Sequence, residues 1–362
     1  LITGGGGPSF LIVSLRYIGD VLLSTPLALS IRTHIPHAEV DYLVFEGTEG
    51  VLSKNPHVRT VLTIPPASRS LRRYGLLWKK YDYAVATNPS DRSAIQCIGA
   101  GRTTVGFSYF RRKEWWKKTL LDECRFYNDS VHIVPLILSL LEPLGIPPRP
   151  RVVAAFGESD AGFAREELGP GGYVLLHPYA GRRYKYWTPR GWGALAAVLT
   201  KTTGLRPVFT VSADPADRAV LEQILSCAPR GTAAFRRRFT LPQLAAAIHG
   251  AHGFVGVDTV ATHMAAALDV PTVALYGPSM TRHWGPWPND SSEQSPYPAH
   301  GGLRRIGKIT VIQREWPCVP CSKETCALSG GNRMLCLEEL SAEEVAEELF
   351  LVMGFPRAGE GA

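Results

Sequence analysis

The stretch Phe10–Pro26, FLIVSLRYIGDVLLSTP, decides how the chain is read. It opens on a short apolar run rich in β-branched residues, the mark of a buried strand. A polar break at Arg16 and Tyr17 follows, and apolar residues then return at helical spacing from Ile18. A strand therefore hands over to a helix within a few residues, and Asp20 lies at the hand-over, directly after Gly19. A carboxylate there suits two roles. It can complement the start of a helix, stabilising by about 1 kcal/mol. It can also face a ligand beyond the strand end, where Gly19 lets the backbone come close.

The same alternation continues outward. AEVDYLVF, RTVLTI, YDYAVAT and TTVGF read as strands separated by helix-like stretches such as SAIQCIGA. It restarts with GYVLLHP, RPVFTVS, GFVGVD and PTVALYG, interleaved with WGALAAVLTKTTG, PADRAVLEQILSCA, LPQLAAAIHGA and THMAAALDV. Strands alternating with helices predict parallel sheets covered by helices. The Pro- and Gly-rich stretch LEPLGIPPRPRVVAAFGESDAGFAREELGPGG reads as the boundary. The prediction is two Rossmann-like α/β domains, 1–155 and 170–335, with parallel sheets facing across a cleft. A last helix over 338–354 opens on Ser341 and Glu344 in capping-box spacing and is expected to pack back on the N-terminal domain.

The 362 residues suffice for two domains with buried cores, and 45% apolar with 20% charged residues is a globular balance. No apolar run approaches the roughly 18 residues of a membrane span. The N-terminal run reads as a first strand and not as a targeting segment, so the expected location is the cytoplasm. Net charge is +7, which favours an acidic partner. Arg69, Arg72 and Arg73 form one basic cluster with Lys79 and Lys80. Arg111, Arg112 and Lys113 form another with Lys117 and Lys118. Either is a solvated face or a docking surface for phosphates and anionic headgroups, since Trp78, Trp115 and Trp116 lie among the cations. No nucleic-acid-binding pattern is present, so no nucleic acid is expected. Cys318, Cys321, Cys326 and Cys336 follow C-x2-C-x4-C-x9-C, which could offer four thiolates to zinc or iron but does not match a paired C-x2-C ribbon. No metal is expected, and a local structural role is the plainer reading.

Three segments at predicted strand ends carry usable chemistry. Asp20 and Gly19 are the first. HPYAGRRYKYWTPRGW, His177 to Trp192, is the second: Gly181 permits a tight turn, and Arg182, Arg183 and above all Lys185 can neutralise a diphosphate. The alternative is aromatic packing by Tyr184, Tyr186 and Trp187 with solvated cations. GFVGVDTVATHMAAALDVPTVALYGP, Gly253 to Pro278, is the third. Its strand ends at Asp258, Thr259 can cap the next helix, and small residues let that helix sit close to the sheet with its first amides toward a phosphate. His263, one turn in, is more often structural than catalytic. The dinucleotide fingerprint is absent after the first strand, so a nicotinamide enzyme is not favoured.

Taken in this order, SLRYIGDVLLSTP, HPYAGRRYKYW, GVDTVATHMAAALDVPTVALYGP and WPCVPCSKETC resemble glycosyltransferase family 9, the bacterial heptosyltransferases of lipopolysaccharide core synthesis. The resemblance covers nearly the whole chain. It implies a GT-B fold, with the acceptor on the N-terminal domain and the nucleotide sugar on the C-terminal one. It implies inverting, metal-independent transfer of heptose from ADP-heptose, with no cofactor required. On matching positions Asp20 is the general base, and Gly19, Lys185, Asp258, Thr259 and His263 belong to the donor site. Asp217 is a candidate ribose contact. The basic clusters would meet an anionic lipopolysaccharide-core acceptor at the inner face of the membrane. Tyr17 and Tyr179 depart from the small polar residues that relatives often carry. A same-fold transferase using another nucleotide sugar and a nucleotide-sugar epimerase are the rival expectations; a non-catalytic scaffold carrying a metal on the four cysteines is a further one.

Overall fold

The computed structural model describes residues 7–66, 77–212, 214–331 and 333–355. They divide into two compact units, Leu1–Ala155 with Asp290–Gln294, and Phe156–Asn289 with Ser295–Ala362.

In the first unit β1 (Ser9–Ser14) lies between β2 (Glu39–Phe45) and β4 (Tyr81–Ala86). β3 (Thr60–Ile64), β5 (Gly101–Ser108) and β6 (Glu123–Phe126) complete a sheet of order β3-β2-β1-β4-β5-β6, with every pairing parallel. Helices cover it: α1 (Ile18–Leu23), α2 (Thr25–His34), α3 (Asp91–Ala100), α4 (Trp115–Leu120) and α5 (Ile133–Leu138). A strand covered on both faces needs an unbroken apolar run, and Phe10 to Val13 are all buried. Leu11 and Val13 pack with Leu43, Ala84 and Cys97 in one core.

The segment Asp290–Gln294 reaches this unit from far along the chain. The Asp290 N–H donates to the Pro150 carbonyl at 3.2 Å, the His132 N–H donates to the Gln294 carbonyl at 3.0 Å, and Arg151 pairs with Asp290 at 2.5 Å.

The second unit repeats the plan. α6 (Glu158–Leu168) leads to β7 (Tyr173–His177), α7 (Pro189–Thr203), β8 (Arg206–Phe209), α8 (Pro215–Cys227) and the short β9 (Ala233–Ala234). Then come α9 (Leu241–His249), β10 (Gly253–Val257), α10 (Val260–Ala267), β11 (Thr272–Tyr276) and the one-turn α11 (Thr281–Trp284). β12 (Gly302–Ile306), β13 (Ile309–Gln313), α12 (Leu335–Glu338) and α13 (Ala342–Met353) close it. The order is β12-β13-β11-β10-β7-β8-β9, parallel except for the β12–β13 hairpin. Thr188 caps α7 by accepting the Gly191 N–H, and Pro189 takes the first helical position.

The Pro- and Gly-rich stretch holds the division between the units and also contains α6, a helix that packs against α9 in the second unit. Its Pro and Gly residues crowd the flanks, while Ala164 and Leu168 are buried. The last helix, expected on the N-terminal domain, buries its apolar face inside the second unit. Val345, Ala346 and Leu349 join Trp187, Trp192 and Val255 in one core, and the Trp187 indole N–H donates to the Leu340 carbonyl at 3.2 Å. No helix among the described residues is long and apolar enough to cross a membrane.

Candidate active site

In the first sheet the direction of winding reverses between β1 and β4, and open α/β sheets take ligands beyond the carboxyl ends of the strands at such a point. β1 delivers Arg16 and Asp20 there, and β4 delivers Thr87 and Asn88. With Ser24, Tyr127, Ile133 and Ile137 they line a small recess that opens to solvent. Asp20 is the third residue of α1, while Tyr17 holds the cap position, so the carboxylate is not the helix cap. Its side chain is 15% exposed and accepts from Arg16 Nε at 3.2 Å, one helical turn back. Tyr127 is buried edge-on to Phe107 and Tyr109. Burial raises its phenol pKa, with the Arg16 charge opposing and the Asp20 charge adding to the rise.

Sequence reasoning missed Asn88. It is 4% exposed, and its Oδ1 accepts the Ser90 N–H at 3.1 Å. Because a backbone N–H faces that end, the amide orientation is fixed and Nδ2 points elsewhere; Nδ2 is buried and has no hydrogen-bond partner. Lys117 secures the turn that carries it. Its ammonium donates to the Pro89 carbonyl at 2.5 Å and pairs with Asp91 at 2.8 Å. Lys117 differs from the expectation of a basic surface cluster: at 1% exposure it is a buried brace.

In the second sheet the reversal falls between β7 and β10, and again both strand ends bring polar groups. Lys185, on the turn after β7, pairs with Asp258, the residue after β10, at 2.6 Å; their side chains are 24% and 9% exposed. His263 lies one turn into α10 and is buried, with Nδ1 unpartnered. Burial pushes its pKa down to about 4, so the imidazole is neutral at pH 7; the Asp258 charge opposes this and the Lys185 charge reinforces it. Thr259 holds the cap position of α10, but its side chain accepts no bond from the first turn, contrary to the expected capping. The helix still sits tightly on the sheet: a Cβ on Gly256 would come within 2.6 Å of Thr262 Oγ1. Tyr276 lies on β11, and burial raises its phenol pKa, helped by the Asp258 charge.

The other predicted residues fall as follows. Gly19 is the second residue of α1. Asp217 is buried in the first turn of α8 and accepts from the Tyr186 hydroxyl at 2.5 Å, so its carboxylate already holds an aromatic in place. Gly181 is exposed with open space around it and an ordinary φ, so protein packing does not require glycine there. Arg182 and Arg183 are exposed. Tyr179 is buried with its hydroxyl unpartnered, whereas Tyr17 is exposed. Arg69, Arg72 and Arg73 lie outside the described residues.

Arg111, Arg112 and Lys113 are exposed beside a patch of exposed apolar side chains, Phe110, Trp115, Leu120 and Phe126. Arg111 lies over the Tyr109 ring at 4.7 Å and Lys118 over the Phe110 ring at 4.4 Å. Cys318, Cys321, Cys326 and Cys336 are free thiols. Burial pushes the Cys336 pKa up to about 11, and the other three cysteines add to the rise. Among the described residues no three His, Cys, Asp or Glu side chains come together to hold a metal.

Two sheets of the same winding, one carrying a carboxylate at its switch point and the other a cation beside a helix start, have the architecture of the GT-B fold. The family model described as glycosyltransferase family 9 (heptosyltransferase) matches residues 69–296, and the chain belongs to this family. It is 28% identical over 303 residues to lipopolysaccharide heptosyltransferase 3 of Escherichia coli, an alignment covering 76% of this chain and 85% of that one. Among solved structures, the E. coli ADP-heptose lps heptosyltransferase II matches with a TM-score of 0.71 and 20% identity, covering 95% of this chain and 98% of that one. The E. coli heptosyltransferase WaaC with ADP matches with a TM-score of 0.69 and 20% identity, covering 95% and 99%. The expected fold and family are thus both found, and the chain is a glycosyltransferase enzyme.

Proposed function

We propose that the chain transfers heptose from ADP-heptose to the inner core of lipopolysaccharide with inversion at the anomeric carbon. The observation that carries the reading is the division of chemistry between two equivalent switch points: Asp20 in a recess at the first, and Lys185 at the second. ADP-heptose as donor is supported by the solved relatives, one named for ADP-heptose and one holding ADP. The lipopolysaccharide acceptor is supported by the relative from E. coli.

In the reaction an acceptor hydroxyl oxygen attacks the anomeric carbon as the bond to the diphosphate oxygen breaks. Asp20 takes the hydroxyl proton, and Arg16, one helical turn back, holds the carboxylate in position for that task. The charge growing on the departing ADP is met by the Lys185 ammonium and by the first amides of α10. For this, Lys185 exchanges part of its bond to Asp258 for a phosphate oxygen. The neutral His263 ring beside them adds a hydrogen-bonding group without a charge. The face bearing Arg111, Arg112, Lys113 and the exposed aromatics suits an anionic lipid surface, which supports an acceptor presented at the inner face of the membrane.

The test is ADP release from ADP-heptose, with and without lipopolysaccharide truncated in the inner core, for the native protein and Asp20→Asn. Acceptor-dependent release that falls about 10²–10⁴-fold in the variant is expected. Release that ignores the acceptor, or that survives the substitution, overturns the assignment. Displacement of bound ADP by UDP at lower concentration than by ADP itself would overturn the donor.

A further inference from the structure

We infer that Asn88 is a specificity-determining residue of the acceptor site: its side-chain amide donates a hydrogen bond to an oxygen of the acceptor sugar next to the hydroxyl that Asp20 deprotonates. This rests on the proposed acceptor recess and names a contact within it.

Asn88 follows β4 as Arg16 and Asp20 follow β1, and the two strands are neighbours in the sheet, so both ends open on one recess. A buried amide nitrogen without a partner costs about 1–3 kcal/mol, and native proteins keep few of them. Here the unpartnered group is Asn88 Nδ2, in a side chain that is 4% exposed and lines the recess. The other end of the amide is committed to the Ser90 N–H, so the side chain cannot turn over to relieve the cost. The backbone cannot drift either, because Lys117 holds the Pro89 carbonyl and Asp91, and Ser90 caps α3 by accepting the Ser93 N–H. A donor held without a partner at the proposed acceptor recess is a preformed contact.

The chemistry also suits discrimination. Asp20 can only accept a hydrogen bond when ionised, and Asn88 Nδ2 can only donate one. A hydroxyl that gives its proton to Asp20 and a neighbouring oxygen that receives from Asn88 define an oriented pair on one sugar. An acceptor lacking the second oxygen leaves the donor buried and unpaired, and is bound more weakly.

The experiment uses the full chain with Asn88→Ser, which keeps an oxygen for the Ser90 N–H and removes the amide nitrogen that reaches the recess, and Asn88→Asp, which keeps the shape and replaces the donor by an acceptor. Initial rates are measured with ADP-heptose and truncated lipopolysaccharide, beside Asp20→Asn and a thermal melt. A rise of about three- to tenfold in the acceptor KM is expected, with the donor KM within twofold and no fall in melting temperature. The unchanged melt is the telling readout, since the lost N–H has no partner in the free protein. An acceptor KM within twofold of the native value in both variants overturns the inference, as does a melting temperature lowered by several degrees, which would make Asn88 a structural residue. If Asp20→Asn also retains full transfer, the acceptor reading itself has failed; if that variant is inactive while Asn88 is silent, only this inference has.

Discussion

Replacing Lys185 with methionine separates what the Lys185–Asp258 pair does for folding from what it does for the donor. At 2.6 Å the attraction between the two charges is about 6 kcal/mol at an effective dielectric near 20. Much of that is offset by drawing both groups out of water, and breaking a buried pair from one side typically costs about 3–5 kcal/mol. Lys185 is 24% exposed while Asp258 is 9% exposed, so the loss falls on the carboxylate left behind, at about 3 kcal/mol. For a unit of some 200 residues this lowers the melting temperature by about 6–12 °C. The transition is followed by tryptophan emission, since Trp187 and Trp192 are buried in the core of the same unit. Adding Asp258→Asn removes the stranded charge and restores most of the loss, whereas Asp258→Asn alone costs less, because the lysine stem can carry its charge outward. ADP affinity falls in the single and in the double variant, since both lack the cation. A single variant that melts with the native protein, or a double variant no more stable than the single, refutes the reasoning.

Acid weakens the second unit through its histidines. Burial holds both His177 and His263 down at about 4, below the unfolded value near 6.5, so the unfolded chain takes up protons first as the pH falls from 6.5 toward 4. The stability they contribute is complete above pH 6.5 and is reduced by roughly 2 kcal/mol per histidine at pH 5; denaturant midpoints at pH 7 and 5 read it, and His263→Asn should remove about half the difference. Gly256→Ala forces α10 off β10, because the new Cβ would lie 2.6 Å from Thr262 Oγ1 and from the Phe254 ring. It should cost about 1–3 kcal/mol in a denaturant titration and weaken ADP binding as well; unchanged ADP affinity in a destabilised variant would detach the helix start from the donor site.

The sequence was most legible where a function hangs on its own strand. Asp20 and Asp258 follow an apolar run within a few residues and Lys185 lies on the turn after another, so their places at strand ends are visible in the local hand-over, while the roles proposed for them come from the family resemblance. Asn88 follows such a run too, but its importance comes from β1 and β4 lying side by side, a pairing that no local pattern reveals. Lys117 sits among other cations and looks solvated; what buries it is a carbonyl 28 residues earlier in the chain. The helix Glu158–Leu168 was hidden by the prolines and glycines on either side of it, which say where a chain turns but not what lies between the turns. Thr259 has the right residue type for a cap and takes the cap position, yet its hydroxyl is not used by the helix. Propensity describes what a side chain can do, and the neighbouring strand decides whether it does it.

The five residues Asp290–Gln294 have a consequence for anyone dividing the protein. A gene fragment ending at residue 155 encodes the first sheet in full but omits the partners of the Pro150 carbonyl, the Arg151 guanidinium and the His132 amide. The complementary fragment carries those five residues with nothing of their own unit to bind. Neither product is therefore a faithful half, and binding measurements on an isolated N-terminal fragment would describe a damaged first unit. Fragment complementation turns this into an advantage: a short peptide carrying residues 290–294 supplies the missing partners, so its uptake by the N-terminal fragment reports how completely that unit has folded.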